Sequence, residues 1–199
     1  IKSVINQSYL NIEYLIIDGL SDDETIEIIM KYKGDISYWI SEKDSSMYEA
    51  INKGIKHANG DIIAVLNSDD QYVDNDVIRK IVDFMYSKDT PGVYGDVIIK
   101  KNLKKRKRKH FQISYNELLI AGQGTFVPHP TLFLKRSFIN EIGLYDLNYN
   151  YASDFDYILR CLKKSNLSYL NMPITIFRRH SESISSTKKI GLERDIILN

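Results

Sequence analysis

Cysteine, proline, tryptophan and long apolar runs are all scarce in this sequence. Among 199 residues there are one cysteine, four prolines and one tryptophan. A single thiol, Cys161, excludes an intramolecular disulfide framework and points to a reducing compartment. No apolar run approaches the roughly 20 residues of a membrane-spanning helix, and none reads as a secretory leader, so a cytoplasmic location is expected. Charge of one sign is missing too: Lys+Arg is 27 and Asp+Glu is 26, so overall charge selects no partner. Neither a P-loop nor a Gly-x-Gly-x-x-Gly fingerprint occurs, which counts against ATPase and dehydrogenase chemistry. The hydrophobic fraction of 43% is ordinary for a globular chain. With no Pro/Gly/Ser linker and no repeat, one domain over 1–199 is expected, with a first half at 1–99 and a second at 100–199.

The first half alternates strand and helix signals. EYLIID (13–18), SYWIS (37–41), residues 62–66 and residues 93–99 read as strands. Helices are expected at 22–33, capped by Ser21 or Asp22, and at 47–58, ended by the pair Asn59-Gly60. A third is marked by Val77, Ile78, Ile81, Val82 and Met85. Alternation of this kind predicts an α/β fold with a mixed, mostly parallel sheet flanked by helices. The sequence opens on the back of an amphipathic helix, Ile1, Val4 and Ile5, so a strand is expected ahead of it. The second half is less regular. It predicts a strand at 131–134, a helix at 153–163 whose stripe is Phe155, Ile158, Leu159 and Leu162, one or two strands over 167–177 interrupted at Pro173, and a terminal helix at 188–199.

Three of the expected strands end in polar clusters: Asp18, Glu42 to Asp44, and Asn67-Ser68-Asp69-Asp70. Adjacent carboxylates raise each other's pKa unless a cation or hydrogen-bond donors intervene. Ligands of open α/β sheets bind beyond the carboxyl ends of the strands, and oxygen donors there suit Mg²⁺ or Mn²⁺ bridged to phosphate. One such carboxylate alone would more simply cap the next helix; three clusters favour a site.

The segments IIDGLSDDET, SEKDSSMYEAINKGIKHANGDIIAVLNSDDQY, HPTLFLKRSFINEIGLYD and ASDFDYILR resemble the family 2 glycosyltransferases of the GT-A fold, over nearly the whole chain. The resemblance implies an inverting, metal-dependent hexosyl- or N-acetylhexosaminyl-transferase of the type that builds bacterial surface polysaccharides. Its donor would be a nucleotide sugar, usually a UDP-sugar, its acceptor a glycan or lipid-linked glycan, and its cofactor Mn²⁺ or Mg²⁺. It also implies a first N-terminal strand, which this sequence does not contain. By the same resemblance Asp18 would bind the donor's base and Asp44 would close on nucleotide and sugar. Asp69 and Asp70 would hold the metal, with Asn67 in place of the first carboxylate of the usual Asp-X-Asp. Asp154 would be the catalytic base, and His180 a further metal or diphosphate contact.

Inverting transfer is a direct displacement. It needs a general base by the acceptor hydroxyl and an electrophile on the leaving phosphate, and no enzyme nucleophile. The bare spacing gives Asp154 a different reading, with Ser153 as N-cap and Asp156 as the acid of a capping box. Cys161 reads as a packing residue. His129, Tyr48 and Asn52 divide between packing and site roles. The run Lys100–Lys109 reads as a solvated hairpin or as a contact with an anionic membrane face; without interleaved aromatics, nucleic acid is not expected. Alternative readings are a nucleotide-sugar-binding module without turnover, or a metal-dependent nucleotidyltransferase or phosphatase.

Overall fold

The structure, a computed structural model, describes residues 1–121, 127–179 and 189–198. In chain order the elements are α1 (Lys2–Ile5), β1 (Leu15–Asp18), α2 (Thr25–Lys31), β2 (Tyr38–Ser41), α3 (Met47–His57), β3 (Ile62–Ala64), β4 (Gln71–Tyr72), α4 (Val77–Lys88), β5 (Gly92–Lys101) and β6 (Lys104–Arg108). There follow α5 (Tyr115–Ala121), a 3-10 turn (His129–Thr131), β7 (Phe133–Lys135), α6 (Arg136–Ile142), α7 (Ser153–Lys164), β8 (Ser168–Arg178) and α8 (Lys189–Leu198).

The expected α/β architecture is present, with a correction to the sheet. β1 and β2 pair in parallel as a two-stranded sheet. The remaining strands form a second sheet in the order β3-β7-β5-β8-β4, with β6 on β5. Its β5–β8 pairing is parallel, but β3–β7, β5–β7, β4–β8 and β5–β6 are antiparallel. The sheet is therefore mixed rather than mostly parallel. β7 enters between β3 and β5 from the second half of the chain, and local periodicity carries no sign of that.

Two apolar clusters hold the elements together. One gathers Tyr94, Phe155, Tyr157, Ile158, Leu162 and their neighbours beneath α7; the other seats α4 through Val77, Ile81 and Met85 against Val93, Phe133 and Ile174. Each such buried side chain contributes about 1.5–3 kcal/mol relative to exposure. On α2, Ile29 is buried while Met30 is 45% exposed. Cys161 is buried in the α7 cluster, where burial pushes its thiol up to about 12, so it packs and does not react.

β8 is a single strand through Pro173, because the register with β5 shifts at Gly95–Asp96, opposite the proline. Such a bulge is where a strand tolerates a residue without an N–H. A side chain at Gly95 would place its Cβ 2.7 Å from the Met172 carbonyl oxygen, so the close approach requires glycine. At the β5–β6 turn, Asn102 adopts a left-handed φ of 53°, as asparagine does more readily than most residues.

Among the described residues, β1 pairs only with β2 on one side, and β3 only with β7. Both free edges border one cavity of about 1470 Å³, lined by Leu15 and Ile17 from β1 and by Ile62, Ile63 and Ala64 from β3. α3 bridges the two sheets. Its Gly54 sits against Ile17, where an added Cβ would come within 3.4 Å of the side chain, while Ile51 and Ile55 pack on the α7 cluster.

Three expected helix ends are corrected. Ser21 and Asp22 do not cap α2; Ser21 donates to the Asp18 carboxylate instead, and Glu24 holds the N-cap position of α2 without a side-chain hydrogen bond. Asn59-Gly60 is not a left-handed cap; α3 stops at an extended Ala58, and the Asn59 and Gly60 amides donate to Glu13. Ser153 and Asp156 form no capping box. Ser153 Oγ donates to the Asp146 carbonyl at 2.7 Å, and Asp156 pairs with Arg160 at 2.9 Å, so Ala152 holds the N-cap position.

Candidate active site

β1 delivers Asp18 to its carboxyl end, where it is 6% exposed. Burial would raise its pKa, but hydrogen bonds from the Ser21 hydroxyl and amide and the Ser41 hydroxyl outweigh this and hold it below the usual carboxylate range. Asp44 follows β2 and pairs with Lys53 of α3 at 2.6 Å, as does Glu42 at 2.6 Å. A Cβ on Gly19 would lie 3.5 Å from Asp44 Oδ2. Asp18 and Asp44 therefore share one rim of the two-stranded sheet.

Asn67 to Asp70 form a turn after β3, closed by the Asp70 amide donating to the Asn67 carbonyl at 3.0 Å. Asp70 Oδ1 accepts the Arg178 amide of β8 at 3.0 Å, while Oδ2 is buried with no hydrogen-bond partner. Burial, with the charge of Asp69 acting in the same direction, pushes the Asp70 carboxyl up to about 7. An orphaned buried carboxylate oxygen beside a second carboxylate fits a divalent cation. Among the described residues no three His, Cys, Asp or Glu side chains converge as a complete cage, so a cation here would draw its remaining ligands from a bound phosphate or water.

Asp154 is the second residue of α7. Its Oδ1 accepts the Phe155 amide at 2.8 Å and the Tyr48 hydroxyl at 3.3 Å. The Tyr48 hydroxyl also lies 3.2 Å from the Tyr151 carbonyl oxygen, and burial followed by the Asp154 charge keeps it protonated. Asn52 pairs twice with the Tyr145 backbone, at 2.9 Å each way, so it is a structural clasp. His129 is buried, with Nε2 2.7 Å from the Tyr145 hydroxyl; burial lowers its pKa despite the Asp154 charge nearby.

The large cavity brings several of these together. Asn67, Asp69, Tyr48, His129 and Asp154 all line it. Asp18 and Asp44 lie on the β1–β2 rim and do not line it, and Asp70 turns toward Arg178. His180 lies outside the described residues. Arg108, His110 and Arg179 also line the cavity; the sequence assigned no site role to Arg108 or His110. Their signal was the period of two: Arg108 stands opposite Val97 on the cavity face, while Lys107 points the other way to Asp96 at 3.0 Å.

A family model described as Glycosyl transferase family 2 matches residues 1–143. The chain belongs to that family. Within it, this glycosyltransferase family 2 chain is 33% identical over 162 residues to an uncharacterized glycosyltransferase of Mycobacterium tuberculosis, covering 80% of the chain and 61% of the relative. It is 30% identical over 196 residues to an uncharacterized glycosyltransferase of Haemophilus influenzae, covering 94% and 76%. A PGL/p-HBAD biosynthesis glycosyltransferase of Mycobacterium bovis is 25% identical over 180 residues, covering 88% and 68%. The family 2 chain thus spans about three fifths of the length of its M. tuberculosis relative. In fold it is similar to S. aureus TarS 1-349 in complex with UDP-GlcNAc, with a TM-score of 0.76 at 16% identity, over 99% of this chain and 65% of that one. It is also similar to the mannosyltransferase PcManGT of Pyrobaculum calidifontis in complex with GDP-Man and Mn²⁺, with a TM-score of 0.66 at 14% identity, over 93% and 53%. These likenesses establish the GT-A fold.

Proposed function

We propose that this chain carries the donor site and the catalytic base of an inverting, metal-dependent glycosyltransferase. The carrying observation is that Asp154 and the Asn67–Asp69 turn line one cavity although 85 residues separate Asp69 from Asp154 in the numbering. The donor is a nucleotide diphosphate sugar, for which UDP is the first candidate. That choice is supported by TarS, solved with UDP-GlcNAc and with UDP, while PcManGT, solved with GDP-Man, keeps guanine as the alternative base. A hexosyl or N-acetylhexosaminyl group would be moved.

In this reading Asp69 and Asp70 hold Mn²⁺ or Mg²⁺, supported by the orphaned Asp70 oxygen and by the Mn²⁺ in PcManGT. The metal supplies charge neutralisation of the departing diphosphate. On the β1–β2 rim, Asp18 would bind the donor's base and Asp44 would close on nucleotide and sugar, and His180 would add a contact to metal or diphosphate. Asp154 accepts the proton of the acceptor hydroxyl as that oxygen attacks the anomeric carbon from the side opposite the diphosphate. Its Tyr48 and Phe155 hydrogen bonds fix the carboxylate's aim.

The acceptor is a glycan or lipid-linked glycan, supported by the relative named for PGL/p-HBAD biosynthesis. The β5–β6 hairpin, basic along Lys100–Lys109 and exposed over β6, would lie against an anionic membrane face. No described helix is long and apolar enough to cross a membrane. Calorimetry with UDP and Mn²⁺ tests the donor site. Parent protein should bind UDP more tightly with Mn²⁺ than without, and Asp69→Ala should lose that difference. Metal-enhanced binding retained in Asp69→Ala would remove this residue from the site. Cleavage of the donor's diphosphate with the sugar left on phosphate would favour phosphatase or nucleotidyltransferase chemistry.

A further inference from the structure

The backbone ahead of α7 presents a problem that its own sequence does not solve. Ala152 occupies the N-cap position and has no side-chain oxygen to receive an amide. A carboxylate from far along the chain instead receives the amides that lead into the helix. Glu193 of α8 accepts the Asn150 amide at 3.0 Å through Oε1, and the Tyr151 and Ala152 amides at 2.7 and 2.8 Å through Oε2. Two more contacts from α8 reach the same segment. Lys189 Nζ lies 3.1 Å from the Tyr151 hydroxyl and 5.2 Å above its ring, and the Arg194 guanidinium lies 4.9 Å from the Phe155 ring centre. α8 thus grips Asn150 to Phe155, the stretch that carries Asp154.

We propose that Glu193 is a positioning residue for Asp154 and that α8 acts as a clip that sets the aim of that carboxylate; this rests on the reading of Asp154 as the base. Asp154 Oδ1 is bonded to the adjacent Phe155 amide, so the carboxylate turns with the backbone that Glu193 holds. The Tyr48 hydroxyl of α3, bonded to the Tyr151 carbonyl and to Asp154 Oδ1, holds the same segment. Loss of the Glu193 acceptors leaves consecutive amides without partners, and the loop relaxes to pair them elsewhere. A shift of about 1 Å in a catalytic group can cost about 10²-fold in rate. UDP binding is not expected to change, since none of the contacts made by Glu193 reaches the Asn67–Asp70 turn or the β1–β2 rim.

The test compares Glu193→Ala, Glu193→Gln and Asp154→Asn in the intact protein. It reads kcat, UDP affinity by calorimetry, and exchange of the Asn150, Tyr151 and Ala152 amides. Glu193→Ala should lower kcat by about 10- to 100-fold, leave UDP affinity at the parent value, and speed exchange at those amides. Glu193→Gln keeps one carbonyl acceptor and should fall between the two; if the alanine variant does not fold, the glutamine variant carries the test. Parent-level kcat in the folded Glu193 variants, with Asp154→Asn impaired, would overturn the inference and leave the base in place. Parent-level kcat in Asp154→Asn would overturn both.

Discussion

Asp96 shows how much one residue inside an apolar stretch can organise. It is fully buried, and its carboxylate accepts the Tyr169 hydroxyl at 2.6 Å, the His110 amide at 2.8 Å and Lys107 at 3.0 Å. Burial alone would raise its pKa, but the bonds from Tyr169, His110 and Lys107 outweigh it and hold it below its ordinary 3.8. With a lowered folded-state pKa, its ionised form stabilises the fold above about pH 3.8, and that contribution is lost as pH falls through the lower folded value. Asp96→Ala should cost about 1–3 kcal/mol for each buried donor left unsatisfied, read by urea unfolding at neutral pH. The gap from the parent should close on acidification; a gap of constant size at all pH values would contradict the assignment. None of this was legible in the sequence, where GVYGDVII reads as one more apolar strand. Asp154 is the opposite case. Its spacing alone suggested a cap, and the structure gives that bond to the residue itself, with Phe155, while Ser153 and Asp156 turn elsewhere.

Among the elements, most helices and strands were legible because their apolar periods are local; α5 and α6, in the less regular second half, were not expected. The ends of the elements were less legible. α3 stops where Glu13, far back in the chain, captures the Asn59 and Gly60 amides, and the N-terminus of α7 is served by a glutamate from α8. A helix terminus takes whichever acceptor the fold brings, and the sequence near the terminus does not name it. The β5–β6 hairpin was half legible: its charge was plain, its two faces were not. With Arg108 turned to the cavity, the hairpin tip is free to meet a surface. Neutralising Lys101, Lys104 and Lys105 to glutamine should weaken binding to phosphatidylserine vesicles by about 1 kcal/mol per lysine, measured by vesicle co-sedimentation. Undiminished binding would leave the hairpin as a solvated one.

At the scale of the whole molecule, the alternation of strand and helix announced an α/β fold, and the acidic strand ends raised the expectation of a site. The strand order was hidden, because β7 joins β3 to β5 across about 40 to 70 residues, and pairings between distant segments leave no local period. The division of the acidic residues was hidden with it: Asp18 and Asp44 sit on the two-stranded sheet, while Asn67, Asp69 and Asp154 line the cavity between the sheets. Among the described residues two strand edges without a partner border that cavity, each with apolar side chains, and such edges readily take up another strand. What unites the molecule is the proposed displacement across the cavity. The most direct test is the single-turnover rate of sugar transfer by Asp154→Asn at saturating donor and metal. With Asp154 as the base, the rate should fall about 10²–10⁴-fold relative to the parent; transfer at the parent rate would contradict that role.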